Sequence, residues 1–132
     1  MQYRDPSRRN ARDFDALRAL LHPEYSFMGG DGKVITGGPE VGIGIAKMYA
    51  GAFPDGTLTM IGNYVVGDVS IAEIKCAGVH NGDLMGIAPT GKYAEVQVCN
   101  IVEMRAGLVY SEREYMDTGA MMAQLGIGAN AS

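Results

Sequence analysis

The spacing of apolar residues along the first half of the chain predicts two helices. In the first, apolar residues return every three or four positions, as on one helix face; they are Phe14, Leu17 and Leu21. Asp13 is a suitable N-cap, and Pro23 ends this helix because the residue before a proline disfavours helical backbone. The second helix begins at Pro39, which suits the first helical position, and its apolar stripe comprises Val41, Ile45, Met48 and Tyr49.

The rest of the chain consists mostly of strand-like segments separated by turns that contain glycine. A short strand over 25–28 and its return over 33–35 lie between the two helices. Longer strands and a last helix follow the second helix; the strands cover 57–66, 69–80, 92–104 and 108–117, and the helix covers 120–125. This order predicts an α+β fold in a single domain over 1–132, with a curved antiparallel meander and helices on one face. Residues 1–12 are predicted to be a flexible or truncated N-terminus.

Alternation along the strand over 92–104 separates an apolar row from a more polar one. Side chains of a strand point alternately to its two faces, so the apolar row is expected to face the interior. From Ala94 onward, Asn100 is the one polar residue in that row, which otherwise holds Ala94, Val96, Val98, Val102 and Met104. A buried amide costs roughly 1–3 kcal/mol unless it is hydrogen-bonded. Asn100 therefore has either a structural partner or a place in the wall of a ligand cavity.

The last strand carries two carboxylates on one face, but alternation does not decide which face is inward. One set is Tyr110, Glu112, Glu114 and Met116, and the other is Val109, Ser111, Arg113, Tyr115 and Asp117. If the first set faces a cavity, the two carboxylates stand about 7 Å apart. Burial and mutual repulsion then raise the pKa of at least one of them, which suits a general base near neutrality. The alternative is a salt-bridged surface strand.

Composition and charge narrow the classes of protein. Hydrophobic residues make up 47% and charged residues 20% of the 132, which is typical of a soluble globular domain. The net charge of −4 argues against nucleic acid as a partner. No apolar run is long enough for a membrane span, the first residues do not resemble a secretory signal, and two cysteines make no disulfide scaffold. A cytoplasmic protein is expected. The two histidines, His22 and His80, have no zinc-ligand spacing, so no metal is expected.

The stretch HNGDLMGIAPTGK, residues 80–92, resembles a loop of the SnoaL-like polyketide cyclase family. That loop follows H-x-G-x-(L/F)-x-G-x-x-P-T-(G/D)-(K/R). Shorter matches occur in the same order at 22–25, 53–55, 107–109, 117 and 124–126. The resemblance implies the nuclear transport factor 2-like fold, a cone-shaped curved sheet with helices closing an apolar cavity. It also implies intramolecular aldol cyclisation without a metal or organic cofactor, and homodimers or higher homo-oligomers.

Carried over position by position, the resemblance implies a catalytic set. The carboxylate that removes a proton from carbon falls on Glu114, a glutamate where the cyclases have aspartate. A pocket histidine of the cyclases falls on Asn100 and another on Glu112, while a neighbouring glutamine falls on Val98. The related ketosteroid isomerases carry their base on the strand over 27–30, where this chain has no carboxylate, so their chemistry is disfavoured.

The resulting prediction has two tiers. Glu114 is the general base, Glu112 tunes its pKa, and Asn100 donates a hydrogen bond to the developing oxyanion. Further contacts to a small apolar substrate are predicted for Tyr110, His80, Met116, Val98, Phe27 and Met48. For His80 the alternative is a structural role in which the ring anchors its loop.

Three functions fit these residues. The first is a cofactor-free, cyclase-like enzyme that uses acid/base catalysis, for aldol-type cyclisation or isomerisation, on a small apolar carbonyl compound. The alternative is a protein that binds a small apolar ligand without transforming it. A weaker alternative is a hydrolase like the epoxide hydrolases of the same fold, which use an Asp–Arg–Asp set, whereas Arg113 lies on the opposite face from Glu112 and Glu114.

Overall fold

The computed structural model describes residues 13–127, so the predicted N-terminal segment 1–12 lies outside the described residues. Three helices and six strands make up this part of the chain. In chain order they are α1 Phe14–Arg18, β1 Leu21–Met28, β2 Val34–Thr36, α2 Pro39–Ala52, β3 Thr57–Val66, β4 Val69–Val79, β5 Tyr93–Arg105, β6 Leu108–Met116 and α3 Thr118–Gln124.

The six strands form one sheet in the order β2-β1-β6-β5-β4-β3. From β3 to β6 each strand pairs with the next in antiparallel fashion, as the sequence pattern predicts. The exception is β1, which pairs with β6 in parallel. This contact joins strands from the two ends of the domain. The sequence pattern does not predict it, because turn residues indicate only pairings between strands that are neighbours in the chain.

The first helix is shorter than its apolar spacing predicts. It ends at Arg18, and the chain enters β1 at Leu21, so Pro23 lies inside a strand rather than after a helix. The β1–β6 register shifts between Leu21 and Ser26, the stretch that contains Pro23. Proline has no N–H to donate, so a strand tolerates it where the regular ladder is interrupted.

Helix α2 joins two core clusters on the inner face of the sheet. The first cluster consists of Leu17, Leu21, Tyr25, Phe27, Ile43, Ala46, Val102 and Val109. The second consists of Ala52, Leu84, Ala94, Met121 and Leu125. The helix contributes Ile43 and Ala46 to one cluster and Ala52 to the other, so its apolar face lies along the sheet between them. None of the helices within residues 13–127 is sufficiently long and apolar to cross a membrane.

The loop over 80–92 is held by hydrogen bonds of its own motif residues. The Nδ1 atom of His80 accepts from the backbone N–H of Thr90 at 3.2 Å and lies 3.1 Å from the Thr90 hydroxyl. The carbonyl of Ala52 accepts from the N–H groups of Asn81 and Gly82. The motif therefore ties the loop to the C-terminal end of α2.

Candidate functional site

A cavity of about 120 Å³ lies between the inner face of the sheet and helices α2 and α3. Its walls are mostly apolar and include Phe53, Leu58, Val96, Val98, Met116 and Met121. Four lining residues carry a polar side-chain group, and they are Tyr49, Thr57, Cys76 and Glu114. An apolar hollow with a few convergent polar groups is the usual form of a small-molecule site.

Glu114 reaches the cavity from the sheet. It lies on β6, is only 9% exposed, and lines the cavity together with Met116 two positions further along the same face. Strand alternation explains this placement, because residues two apart on a strand point to the same side. A carboxyl group in the wall of an apolar cavity can contact a small molecule bound there. Glu114 is therefore the first candidate for the chemistry of the site.

Glu112 belongs to the interior on the same strand, but not to the cavity wall. It is 2% exposed, and its Oε1 atom accepts a hydrogen bond of 2.7 Å from the hydroxyl of Tyr25 on β1. Tyr25 is a member of the first core cluster, so this carboxylate is embedded beside that cluster. The structure thus buries both carboxylates of the predicted pair and separates their surroundings.

Asn100 faces the interior directly across from Glu114, its partner in the β5–β6 register. It is 0% exposed, and among the described residues neither its side-chain nitrogen nor its oxygen has a hydrogen-bond partner. Asn100 is not among the residues that line the cavity. The structure therefore places this amide next to the proposed base, and outside the cavity wall.

Tyr49 reaches the same cavity from helix α2. Burial, the largest cause, raises the pKa of its phenol above the ordinary value of 10.0, and the charges of Glu114 and Cys76 raise it further. The hydroxyl therefore stays protonated and can donate a hydrogen bond at any ordinary pH. The sequence pattern predicts only that Tyr49 belongs to the apolar stripe of this helix. The sequence signal that could have identified Tyr49 is helical spacing. Four residues at that spacing line the cavity, and they are Ala46, Tyr49, Ala50 and Phe53.

The other predicted contacts divide between the cavity and its surroundings. Val98 and Met116 line the cavity. Phe27 packs in the first core cluster, and Met48 is half-buried on α2, both outside the cavity wall. His80 is fully buried and bonded to Thr90, and its ring lies 5.6 Å from the ring of Phe53, measured between centroids. His80 thus lies behind the wall that Phe53 forms.

Tyr110 is displaced from the row of Glu112 and Glu114 by an irregularity in the sheet. The β5–β6 register shifts between Glu103 and Met104, which breaks the alternation just before Glu112. The Tyr110 ring packs under the guanidinium of Arg105 at 3.6 Å and against the ring of His22 at 5.3 Å. It is not among the cavity-lining residues.

The chemistry available to this arrangement is proton transfer. One carboxyl group and one neutral phenol share an apolar space, and the inner face beside them carries a second carboxyl group and an amide. Within the part of the chain that the structure describes, no three His, Cys, Asp or Glu side chains cluster so that they could hold a metal ion.

Comparison with solved structures places the fold among known proteins. A SnoaL-like polyketide cyclase candidate from Jannaschia sp. CCS1 has a TM-score of 0.79 at 20% identity and covers 85% of this chain and 77% of its own. IdmH from Streptomyces antibioticus, a candidate polyketide cyclase, has a TM-score of 0.76 at 26% identity, with 92% and 93% covered. A Catenulispora acidiphila protein with a ketosteroid isomerase-like fold, in complex with trimethylamine, has a TM-score of 0.77 at 18% identity, with 95% and 91% covered.

The fold predicted from the loop motif is confirmed by these likenesses: a curved, unclosed α+β sheet of the ketosteroid isomerase-like, or nuclear transport factor 2-like, type. Among curated proteins, no sequence matches this chain. The sequence profile of the SnoaL-like polyketide cyclases matches residues 3–125, nearly the whole chain. The chain therefore belongs to the SnoaL-like polyketide cyclase family.

Proposed function

We propose that the protein is a cofactor-free enzyme that removes a proton from carbon next to a carbonyl group, as a step in aldol-type cyclisation or isomerisation. The observation that carries this proposal is the carboxyl group of Glu114 in the wall of an apolar cavity. Family membership supports a cyclase-like role. The substrate is a small apolar carbonyl compound, because the remaining wall offers mostly apolar side chains.

Burial suits Glu114 to the task of a general base. A carboxylate that is poorly solvated holds a proton more strongly than one in water, so it is a better acceptor for a weak carbon acid. Glu112, two positions away on the inner face, adds a second negative charge near Glu114 when ionised, and this charge also favours proton uptake by Glu114. Asn100 lies across from the base and contributes a neutral, polar neighbour without competing for the proton.

The wider proposal includes self-association and a cytoplasmic location. Apolar side chains stand exposed on two strands of the sheet: Tyr64 and Val66 on β3, and Tyr115 on β6. Burial of such side chains between two copies of the chain would be favourable. Light scattering on the purified protein should then report a dimer or larger homo-oligomer. A monomer at micromolar concentration would contradict this part.

The test of the enzyme proposal is hydrogen–deuterium exchange at carbon. The purified protein is mixed in D₂O with 2-tetralone, a flat apolar ketone with an acidic C–H group, and NMR follows the loss of that proton signal. Enzyme-dependent exchange that disappears in Glu114→Gln is the expected result. Exchange at the same rate in Glu114→Gln would contradict the proposal.

A second candidate function is the binding of a small apolar ligand without chemical change. The observation in its favour is the changed polar set, since Val98 and Asn100 stand where the resemblance places a glutamine and a histidine. Native mass spectrometry separates the two functions. A retained, unmodified ligand together with absent exchange would favour binding alone, whereas exchange favours the enzyme.

Hydrolysis of the epoxide hydrolase kind has less support. An arginine between the two carboxylates is the feature that such a site needs. Arg113 is the nearest arginine in sequence, and it alternates with Glu112 and Glu114 along β6, so it points to the other face of the sheet.

A further inference from the structure

We propose that Tyr49, rather than Asn100, is the hydrogen-bond donor that stabilises the oxyanion formed when Glu114 removes a proton. The inference rests on the proposed function, because it names the partner of the same base. In this role, the Tyr49 hydroxyl contacts the carbonyl oxygen of the substrate.

The geometry favours Tyr49 over Asn100. Tyr49 lines the cavity from the helix side and Glu114 lines it from the sheet side, so a ligand between them can contact both. Asn100 is not part of the cavity wall. Ala46 and Ala50, the neighbours of Tyr49 on the same helix face, are small and leave its ring bordering open space.

The hydroxyl of Tyr49 is available as a donor. Within residues 13–127 it makes no hydrogen bond, whereas the other buried tyrosine hydroxyl beside a carboxylate, that of Tyr25, is engaged by Glu112. Burial and the nearby Glu114 charge raise the pKa of Tyr49, so the phenol is neutral and keeps its proton. A neutral donor in an apolar site strengthens its hydrogen bond as negative charge develops on the acceptor.

The placement of the two groups fixes how the substrate lies. The C–H bond to be broken faces β6, and the carbonyl oxygen faces α2. The bonding pair of the C–H bond becomes the carbon–carbon π bond of the enolate, the proton goes to the Glu114 carboxylate, and the carbonyl π pair goes to the oxygen beside Tyr49. Return of a proton, or of a deuteron in D₂O, to carbon reverses the step and leaves the ketone. The ligand class is therefore a flat apolar ketone with an acidic C–H group.

The experiment detects the hydrogen bond with or without turnover. Infrared difference spectroscopy measures the carbonyl stretch of 2-tetralone, labelled with ¹³C at the carbonyl, when it is bound to Glu114→Gln. We expect the stretch at lower frequency than in an apolar solvent, and we expect that displacement to disappear when Tyr49→Phe is added. Tyr115→Phe, on the opposite face of β6, is the matched control and should retain the displacement.

Kinetics and a hydrocarbon ligand complete the test. In the presence of Glu114, Tyr49→Phe should lower kcat for exchange about 10²- to 10³-fold with little change in KM. Tetralin, which has the same shape but no carbonyl group, should bind the wild type and Tyr49→Phe equally. Loss of tetralin binding in Tyr49→Phe would indicate a collapsed cavity and would overturn the assignment.

The two proposals can fail separately. A carbonyl displacement that depends on Tyr49, without any catalysed exchange, would support the donor role and contradict the enzyme proposal. Exchange that requires Glu114 and continues at full rate in Tyr49→Phe, with the displacement unchanged, would support the base and overturn the donor role.

Discussion

Two carboxylates two positions apart on β6 occupy different environments. Glu114 lines the cavity, while Glu112 accepts a hydrogen bond from Tyr25 beside the first core cluster. The alternation of β6 places both on one face, and it is the surrounding elements that distinguish them. The proposed function therefore assigns proton removal to Glu114, which borders the cavity, and assigns charge and packing to Glu112.

At this scale the first prediction concerns Tyr25. Tyr25→Phe removes the hydroxyl that donates to Glu112 and leaves a buried acceptor with one partner fewer. We expect the free energy of unfolding to fall by about 1–3 kcal/mol. Urea denaturation measures this change. Tyr115→Phe, which removes a hydroxyl from an exposed ring, is the control and should leave stability nearly unchanged. Equal stability of Tyr25→Phe and the wild type would contradict the importance of this bond.

Tyr49 supplies a prediction on pH dependence. Its pKa in the folded protein lies above the ordinary value of 10.0 because burial disfavours the charged form. Below about pH 10 both the folded and unfolded states keep the proton, so stability is unaffected. Above about pH 10 the unfolded state loses this proton first, and stability falls by up to about 1.4 kcal/mol per pH unit. Urea unfolding at about pH 9 and pH 11 should show a smaller loss for Tyr49→Phe than for the wild type. An equal loss of stability in Tyr49→Phe and the wild type would indicate that the phenol is exposed to solvent, which would contradict its burial.

Among the elements, helix α2 positions the helix side of the site. Its packing against β1 is close: a Cβ atom at Gly42 would lie 2.7 Å from Leu21 Cδ1 and 3.0 Å from Tyr25 Cε2. Gly44, in the same helix, has no atom within 4 Å of its would-be Cβ position and is exposed. Gly42 therefore has no room for a side chain, whereas Gly44 has open space around it.

The pair gives a matched test of this packing. Gly42→Ala should lower the free energy of unfolding by about 1–3 kcal/mol, because the added methyl group overlaps the buried side chains of Leu21 and Tyr25, which must shift. Gly44→Ala should raise it by about 0.5–1 kcal/mol, because alanine favours helix and meets no neighbour. Urea denaturation of both variants measures the contrast. If Gly42→Ala were as stable as Gly44→Ala, the close helix–strand contact would be wrong.

The helices and strands show which parts of the fold could be predicted from the sequence. The bounds of β3 follow directly from the apolar run between the glycine turns, and α2 follows from Pro39 and the stripe after it. Pro23 is misleading, because a proline can end a helix and can also occur in an irregular strand. Only the β1–β6 pairing decides between the helix end and the strand. The shift in the β5–β6 register before Glu112 cannot be predicted from the sequence either, because the pattern of apolar and polar residues around Tyr110 does not indicate it.

For the molecule as a whole, the site depends on contacts between distant parts of the chain. The cavity exists because α2 and α3 lie over strands β3 to β6, whereas alternation within one strand reports only which residues share a face. Alternation identifies Val98 as an inward residue, and the family resemblance is needed to assign Glu114 and Met116 to the site. The sequence does not separate Asn100 and Glu112 from the cavity wall, because that distinction depends on where the helices leave space.

The central claim is that the inward carboxylate of Glu114 takes a proton from carbon inside this cavity. Its most direct test is the rate constant for deuterium exchange into saturating 2-tetralone, compared between Glu114→Gln and Glu103→Gln. Glu103 is on the same sheet but pairs with Arg105 at the surface, so it serves as the control carboxylate. We predict a fall of at least about 10²-fold for Glu114→Gln, with the affinity for the ketone retained, and no change for Glu103→Gln. Equal rate constants in the two variants would contradict the account.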